Sequence, residues 1–155
     1  MDKHKPLTIY KASAGSGKTF QLAVDFISLL VLNPDSYKDI LAVTFTNKAT
    51  DEMKMRILSQ LNGLANNYQD SDPYLQKIKE QTCLPTPVIQ KNAKIALSLL
   101  VHNYNYFRIL TIDAFFQSIL RNLAHELNLT ANLKIGLNDK EIEEEAVDKM
   151  IENLE

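Results

Sequence analysis

Residues Ala12–Thr19 read Ala-Ser-Ala-Gly-Ser-Gly-Lys-Thr. A triphosphate is held by several backbone N–H groups turned into one concavity, and Gly15 and Gly17 let a loop curl tightly enough to make one. Lys18 would reach the β- and γ-phosphates. The Thr19 hydroxyl would ligate Mg²⁺, which keeps most of its other ligands as water or phosphate. Such a loop needs a strand before it and a helix after it. Leu7–Lys11 is a short β-like run and Phe20–Leu32 a long apolar one, which argues against a chance Gly-Lys-Thr in a turn. A helix starting near Lys18 adds its unpaired N–H groups and its positive dipole end. Ala12 stands where the strict pattern has its first glycine. The residues therefore predict ATP or a similar nucleotide, with Mg²⁺, on Ser13, Ala14, Gly15, Ser16, Gly17, Lys18 and Thr19, with Thr19 as the metal ligand.

The elements that must position these groups alternate between strand and helix. The pattern predicts a strand at Leu7–Lys11, a helix at Lys18–Leu32 that is apolar nearly all round and hence buried, and a turn at Asn33–Ser36. Asp39–Phe45 reads as a second strand, mostly apolar as in a parallel sheet covered on both faces. Asn47–Leu64 reads as a helix with Ala49, Met53, Ile57 and Leu61 on one face. A polar loop at Asn66–Asp72, a short helix at Pro73–Gln81 and a helix opened by Thr86-Pro87 follow. Phe107–Thr111 is a third strand. Asp113 is expected to cap a helix carrying Phe116, Ile119, Leu120, Leu123 and Leu127. Asn138–Leu154 closes the chain as an amphipathic helix with an Asn138…Glu141 capping box.

Composition bounds the class. The chain has 155 residues, 45% apolar and 23% charged, enough for one domain with a core. Cys83 is the only cysteine, so no internal disulfide forms and a reducing compartment fits. The longest apolar stretch is too short to span a bilayer, and the polar amino terminus lacks a signal-peptide pattern, so a cytoplasmic protein with no membrane partner is expected. His4, His102 and His125 are far apart and suggest no metal cluster. The net charge is −2, but residues 139–155 carry a net −6, leaving about +4 on residues 1–138. The body can thus carry a basic surface, while the acidic end reads as a solvated helix face.

Two further constellations stand at strand ends. Val43-Thr-Phe-Thr-Asn-Lys-Ala-Thr-Asp-Glu-Met-Lys-Met-Arg-Ile57 leaves the second strand, and Leu110-Thr-Ile-Asp-Ala-Phe-Phe-Gln-Ser-Ile-Leu-Arg121 the third. Open α/β sheets bind ligands at the carboxyl ends of their strands. Phe45 is followed at once by Thr46, Asn47 and Lys48, and an aromatic ring beside hydroxyl, amide and lysine groups suits a single strand of nucleic acid. Phe45 and Phe115 admit two readings on physical grounds: packing beneath a loop, or a stacking platform. Lys54 and Arg56 read more simply as a solvated helix face.

The three segments together resemble motifs I, Ia and Ic of superfamily 1A DNA helicases. Ala-Ser-Ala-Gly-Ser-Gly-Lys-Thr-Phe is similar to the form in the RecB and AddA branch. Thr-Phe-Thr-Asn-Lys-Ala-Thr-Asp-Glu-Met-Lys-Met-Arg-Ile matches motif Ia almost throughout, and Thr-Ile-Asp-Ala-Phe-Phe resembles the Thr-Ile-His/Asp-x-Phe motif. The resemblance covers about residues 7–125. It implies an α/β, RecA-like P-loop fold with an incomplete parallel sheet flanked by helices and a helical carboxyl-terminal extension. Residues 1–125 would be the amino-terminal part of motor domain 1A, and 126–155 the start of an inserted helical subdomain, 1B. It also implies that Phe45, Thr46, Asn47, Lys48, Thr111, Ile112 and Phe115 meet DNA. Phe20 stands where UvrD-like members often have an arginine and would pack near the nucleotide. Asp113 replaces the more frequent histidine, and the upstream adenine-reading glutamine of UvrD-like members has no clear counterpart.

The implied parent is an ATP-dependent DNA helicase or helicase–nuclease in double-strand-break repair and recombination, working on single- and double-stranded DNA with a second helicase–nuclease subunit. No Asp-Glu pair follows an apolar strand after Thr19, since Asp51-Glu52 falls on the motif Ia helix, and no arginine finger or second motor domain fits in the remaining residues. The chain therefore reads as an amino-terminal piece that binds phosphate or nucleotide weakly and does not turn it over. Its few strands should leave sheet edges open, to be covered by self-association or by repositioned carboxyl-terminal helices. Two other classes stand beside this one: a small P-loop kinase, against which the acidic carboxyl end argues, and a non-catalytic nucleotide- or DNA-binding module.

Overall fold

The computed structural model describes residues 9–10 and 17–126, with the side chains of 124–126 left aside. The strand expected at Leu7–Lys11, the loop residues Ala12–Ser16, Leu127 and the helix expected at Asn138–Leu154 lie outside that range, apart from Ile9 and Tyr10, which are exposed and not in a strand.

Helix α1 runs from Lys18 to Leu32. Gly17 precedes it with φ +79°, in the left-handed region that a residue with a Cβ adopts only under strain. The helix stops at Asn33 because Pro34 follows and disfavours helical backbone before it. The Asn33 side chain then accepts from the Asp35 N–H at 3.2 Å and starts a 3-10 turn over Pro34–Lys38. Strand β1 spans Leu41–Thr44. Helix α2, Asn47–Asn66, is capped by Thr46, whose hydroxyl accepts from the Ala49 N–H at 3.1 Å. It ends at Asn67, which takes the left-handed conformation that asparagine tolerates. A Cβ on its Gly63 would overlap the Ser71 hydroxyl, so the glycine permits the chain to double back there. Helix α3, Asp72–Thr82, and helix α4, Thr86–His102, each carry proline in the first turn, where the missing N–H costs nothing. Strand β2 spans Arg108–Thr111, and helix α5 follows at once from Ile112 to Glu126.

The two strands pair in parallel, Leu41 opposite Arg108 through Thr44 opposite Thr111. A parallel pair requires a crossover, and α2, α3 and α4 supply it. The described residues are thus helix-rich with a small parallel sheet, where the sequence predicts three strands. Helix α1 packs on α2, α3 and α4, and α2 lies against α4 and both strands. Ile27 and Leu30 of α1, Met53, Ile57 and Leu61 of α2, Ile78 of α3, Ile89 and Leu100 of α4 and Ile109 of β2 are fully buried at the centre. Truncating one such side chain to alanine costs about 2–5 kcal/mol. The Phe26 ring meets Phe107 edge-on at 5.8 Å, and Asn92 donates to the Val31 carbonyl at 2.7 Å, which ties α4 to the end of α1.

Two expectations are corrected. Helix α1 is not buried all round: Leu22, Leu29 and Leu32 are exposed along one flank, which the described helices packed on α1 leave uncovered. Asp113 does not cap α5. The Thr111 hydroxyl does, accepting from the Ala114 N–H at 3.2 Å, because the helix begins at Ile112 directly after the strand and places Asp113 inside its first turn.

By internal contacts the chain falls into two units, Met1–Phe115 and Phe116–Glu155. The candidate site residues all belong to the first.

Candidate nucleotide and nucleic-acid sites

The first turn of a helix has N–H groups without an intrahelical partner, and at α1 no described side chain caps them. Lys18 and Thr19 lie exposed in that turn, directly after the left-handed Gly17. No acidic residue occupies the turn, so nothing there opposes an anion. The geometry fits a phosphate and an attendant cation at Gly17, Lys18 and Thr19; Ser13, Ala14, Gly15 and Ser16 lie outside the described residues. Phe20, the next residue, is half-buried, with its ring 4.5 Å from that of Tyr74. No group of three metal-ligating side chains occurs among the described residues.

The register of the sheet brings the other two segments together. Thr44 and Thr111 face each other at its last pair, so the chain leaves β1 as Phe45–Lys48 and β2 as Ile112–Phe115 at one end of the sheet. Phe45 is 84% exposed, which excludes packing beneath a loop for this ring. Asn47 and Lys48 are exposed, with Lys48 3.9 Å from Glu52 one turn on. Ile112 is exposed, and Phe115 is half-buried. The two threonines carry structural duties in addition to any other. Thr46 caps α2, and its carbonyl also accepts from the Thr50 N–H at 3.0 Å and the Thr50 hydroxyl at 3.2 Å. The Thr50 hydroxyl in turn meets that of Thr44 at 2.7 Å. Thr111 caps α5.

Three features have no signal in the sequence. Along the exposed flank of α1, Asp25 accepts from the amides of Gln21 and Gln81, each at 2.8 Å, and Ser28 donates to Gln81 at 2.7 Å. With Tyr10, Lys18 and three leucines these groups line a cleft of about 650 Å³. The Asp25 charge, then partial desolvation and the hydrogen bond between them, holds the Tyr10 phenol above its ordinary range. On the other side of α1, Phe20, Glu52, Met55, Arg56, Ser59, Gln60, Pro73 and Tyr74 line a second, more open cleft of about 700 Å³. Thirdly, Lys54 does not merely face solvent: it lies over the Tyr104 ring at 5.5 Å. Gln81 and Asp25 are 56 residues apart, and only the packing of α3 on α1 joins them.

Residues 2–155 match the UvrD/REP helicase N-terminal domain family. The chain belongs to this family. Among curated relatives of this UvrD/REP member, an ATP-dependent helicase/nuclease subunit of Clostridium novyi is 33% identical over 138 residues, 88% of this chain and 9% of the relative. Its namesake in Clostridioides difficile is 28% identical over 147 residues, 92% of this chain and 10% of the relative. RecB of the Buchnera aphidicola RecBCD enzyme is 33% identical over 133 residues, 76% of this chain and 10% of the relative. The chain thus spans about a tenth of the length of these relatives. No solved structure matches. No helix among the described residues is long and apolar enough to cross a membrane.

Proposed function

We propose that this chain is the amino-terminal, ATP-binding part of a cytoplasmic DNA helicase or helicase–nuclease of the AddA and RecB kind, working in double-strand-break repair and recombination. Residues 1–125 belong to motor domain 1A and residues 126–155 begin its inserted helical subdomain. The observation that carries this reading is the open start of α1, with Gly17 left-handed and Lys18 and Thr19 exposed beside it, in a chain that matches the UvrD/REP family from residue 2 onward.

The backbone of Ser13–Gly17 and the first turn of α1 hold the triphosphate, with Phe20 packing near the nucleotide. Lys18 places a point charge on the β- and γ-phosphates, and Thr19 offers its hydroxyl to Mg²⁺. When bound, the nucleotide would supply the energy of its β–γ phosphoanhydride and Mg²⁺ would neutralise the phosphate charge. This chain's part is to bind and orient them. Phe45 offers its ring to a DNA base, with Thr46, Asn47, Lys48, Thr111, Ile112 and Phe115 around it on the same sheet end. A second helicase–nuclease subunit completes the parent assembly.

Calorimetric titration of the 155-residue chain with ATP and Mg²⁺ tests the nucleotide reading. Weak binding that Lys18→Ala abolishes is expected, with no DNA-stimulated turnover, because the acid that positions metal and water is missing after Thr19. Turnover at the rate of an ordinary helicase would contradict it.

A further inference from the structure

We propose that Asp25 is a positioning residue for the phosphate site, tying Tyr10, at the entry to the glycine-bearing segment, to helix α1 at its exit. This rests on the reading of Gly17, Lys18 and Thr19 as that site. Tyr10 and Lys18 stand on the two sides of residues 11–17 in the sequence, and both line the cleft along α1 in which Asp25 sits. Asp25 follows Lys18 by about two helical turns and so shares its face of α1.

Asp25 is half-buried and gathers donors from three parts of the chain. Gln21, one turn before it on α1, and Gln81, near the end of α3, each donate to its Oδ1 at 2.8 Å. The Tyr10 phenol donates to the same carboxylate, whose charge, ahead of partial desolvation and the hydrogen bond itself, holds it above its ordinary range. Gln81 is fixed in turn, because its Oε1 accepts from the buried Ser28 hydroxyl at 2.7 Å. Its amide thus uses its donor on Asp25 and its acceptor on Ser28. These groups satisfy one another, so the cluster is a tie rather than a vacant ligand site. The packing of α3 on α1 has other support: Phe20 meets Tyr74 ring to ring at 4.5 Å, and Ile27, Leu30 and Ile78 are fully buried. Hydrogen bonds to a carboxylate are the stronger kind, and the two glutamines give Tyr10 an acceptor already held in place. Tyr10 is 58% exposed, so its hydroxyl adds little to the core, and its contribution lies in where it holds the backbone. A chain pinned at Tyr10 and continuous with α1 at Lys18 has less freedom to lose when an anion binds between them.

The test titrates ATP and inorganic tripolyphosphate, each with Mg²⁺, by calorimetry into the 155-residue chain, Tyr10→Phe, Asp25→Ala and the double variant. Each single change should weaken both ligands by about three- to tenfold, the loss expected from one hydrogen bond. The double variant should lose no more than the weaker-binding single one, because either change breaks the same tie. Charge alone predicts the reverse for Asp25→Ala, since removing an acid near an anion site favours the anion. Tyr10→Phe removes only an exposed hydroxyl and should melt with the unsubstituted chain, so its result stands whether or not Asp25→Ala disturbs α1. Hydrogen exchange in the ligand-free variants should quicken over residues 11–17, whereas a purely structural role for Asp25 would quicken it in α1 and α3. Unchanged affinity in Tyr10→Phe, tighter binding in Asp25→Ala, additive losses in the double variant, or faster exchange confined to α1 and α3 overturns the tie and leaves the phosphate site standing. Failure of the unsubstituted chain to bind either ligand overturns the phosphate site and the tie with it.

Discussion

Phe45 is the residue at which packing and recognition make opposite demands. A ring buried under a loop would be lost at a cost of about 3–5 kcal/mol on truncation, whereas a ring on the surface costs little. At 84% exposed, Phe45→Ala should change the stability of this chain by less than about 0.5 kcal/mol. In the full parent enzyme the same change should weaken single-strand binding by about 1–3 kcal/mol, the contribution of one stacked base, and uncouple ATP use from movement. Chemical denaturation and a strand-binding titration read the two effects apart. Unfolding of the alanine variant would return the residue to the core. Tyr10 gives a second test. Its phenol is held above the ordinary tyrosine range by the Asp25 charge, so its protonated form is favoured in the folded state. The stabilisation is present below the unfolded pKa, about 10, and is lost as pH rises through the higher folded value. In Asp25→Asn an ultraviolet titration of tyrosinate should show one phenol, that of Tyr10, ionising at lower pH than in the unsubstituted chain. An unchanged curve would place Tyr10 away from Asp25.

At the scale of elements, both strands end in a threonine-capped helix start. Thr46 closes α2 and Thr111 closes α5, each hydroxyl accepting from the N–H three residues on. Thr46→Ala should therefore cost about 0.5–2 kcal/mol, while Thr46→Ser retains the cap and most of the stability. Thermal melts of the two variants measure this directly. If Thr46→Ala melts with the unsubstituted chain, the cap contributes nothing and any DNA defect of the variant reports on recognition alone. Element boundaries are legible in the sequence because Asn33-Pro34, Thr86-Pro87 and the run after Gly17 are local signals of backbone geometry. The α5 cap is not, because acidic side chains favour helix starts generally and make Asp113 the expected choice. Choosing between neighbouring Thr111 and Asp113 depends on where β2 releases the chain, which its pairing with β1 sets.

At the scale of the molecule, the two-stranded sheet has no further strand on either side among the described residues, and Leu41 and Val43 are exposed on one of its faces. The flank of α1 adds Leu22, Leu29 and Leu32. Unpaired strand edges next to apolar surface pair readily with other chains. The 155-residue chain should associate with itself at raised concentration, and light scattering should show a mass that grows with concentration. A strict monomer throughout would contradict this.

The order Gly-Lys-Thr, Thr-Phe-Thr-Asn-Lys and Thr-Ile-Asp-Ala-Phe determined the family without any coordinates, because phosphate and strand-end chemistry demand particular residues at fixed local spacing. The parallel crossover followed too, since apolar strands separated by long helices have few other ways to pair. Tertiary structure alone decided what depends on distant residues meeting. It exposed Phe45 where local pattern left packing and stacking both open, left one flank of α1 uncovered where composition suggested burial all round, and joined Asp25 to Gln81. It also set Phe20 and Tyr74 ring to ring beside Arg56 and Gln60. Periodicity reports which side of a helix is apolar; it cannot report which neighbour arrives to cover it, because that is fixed by the packing of the whole chain.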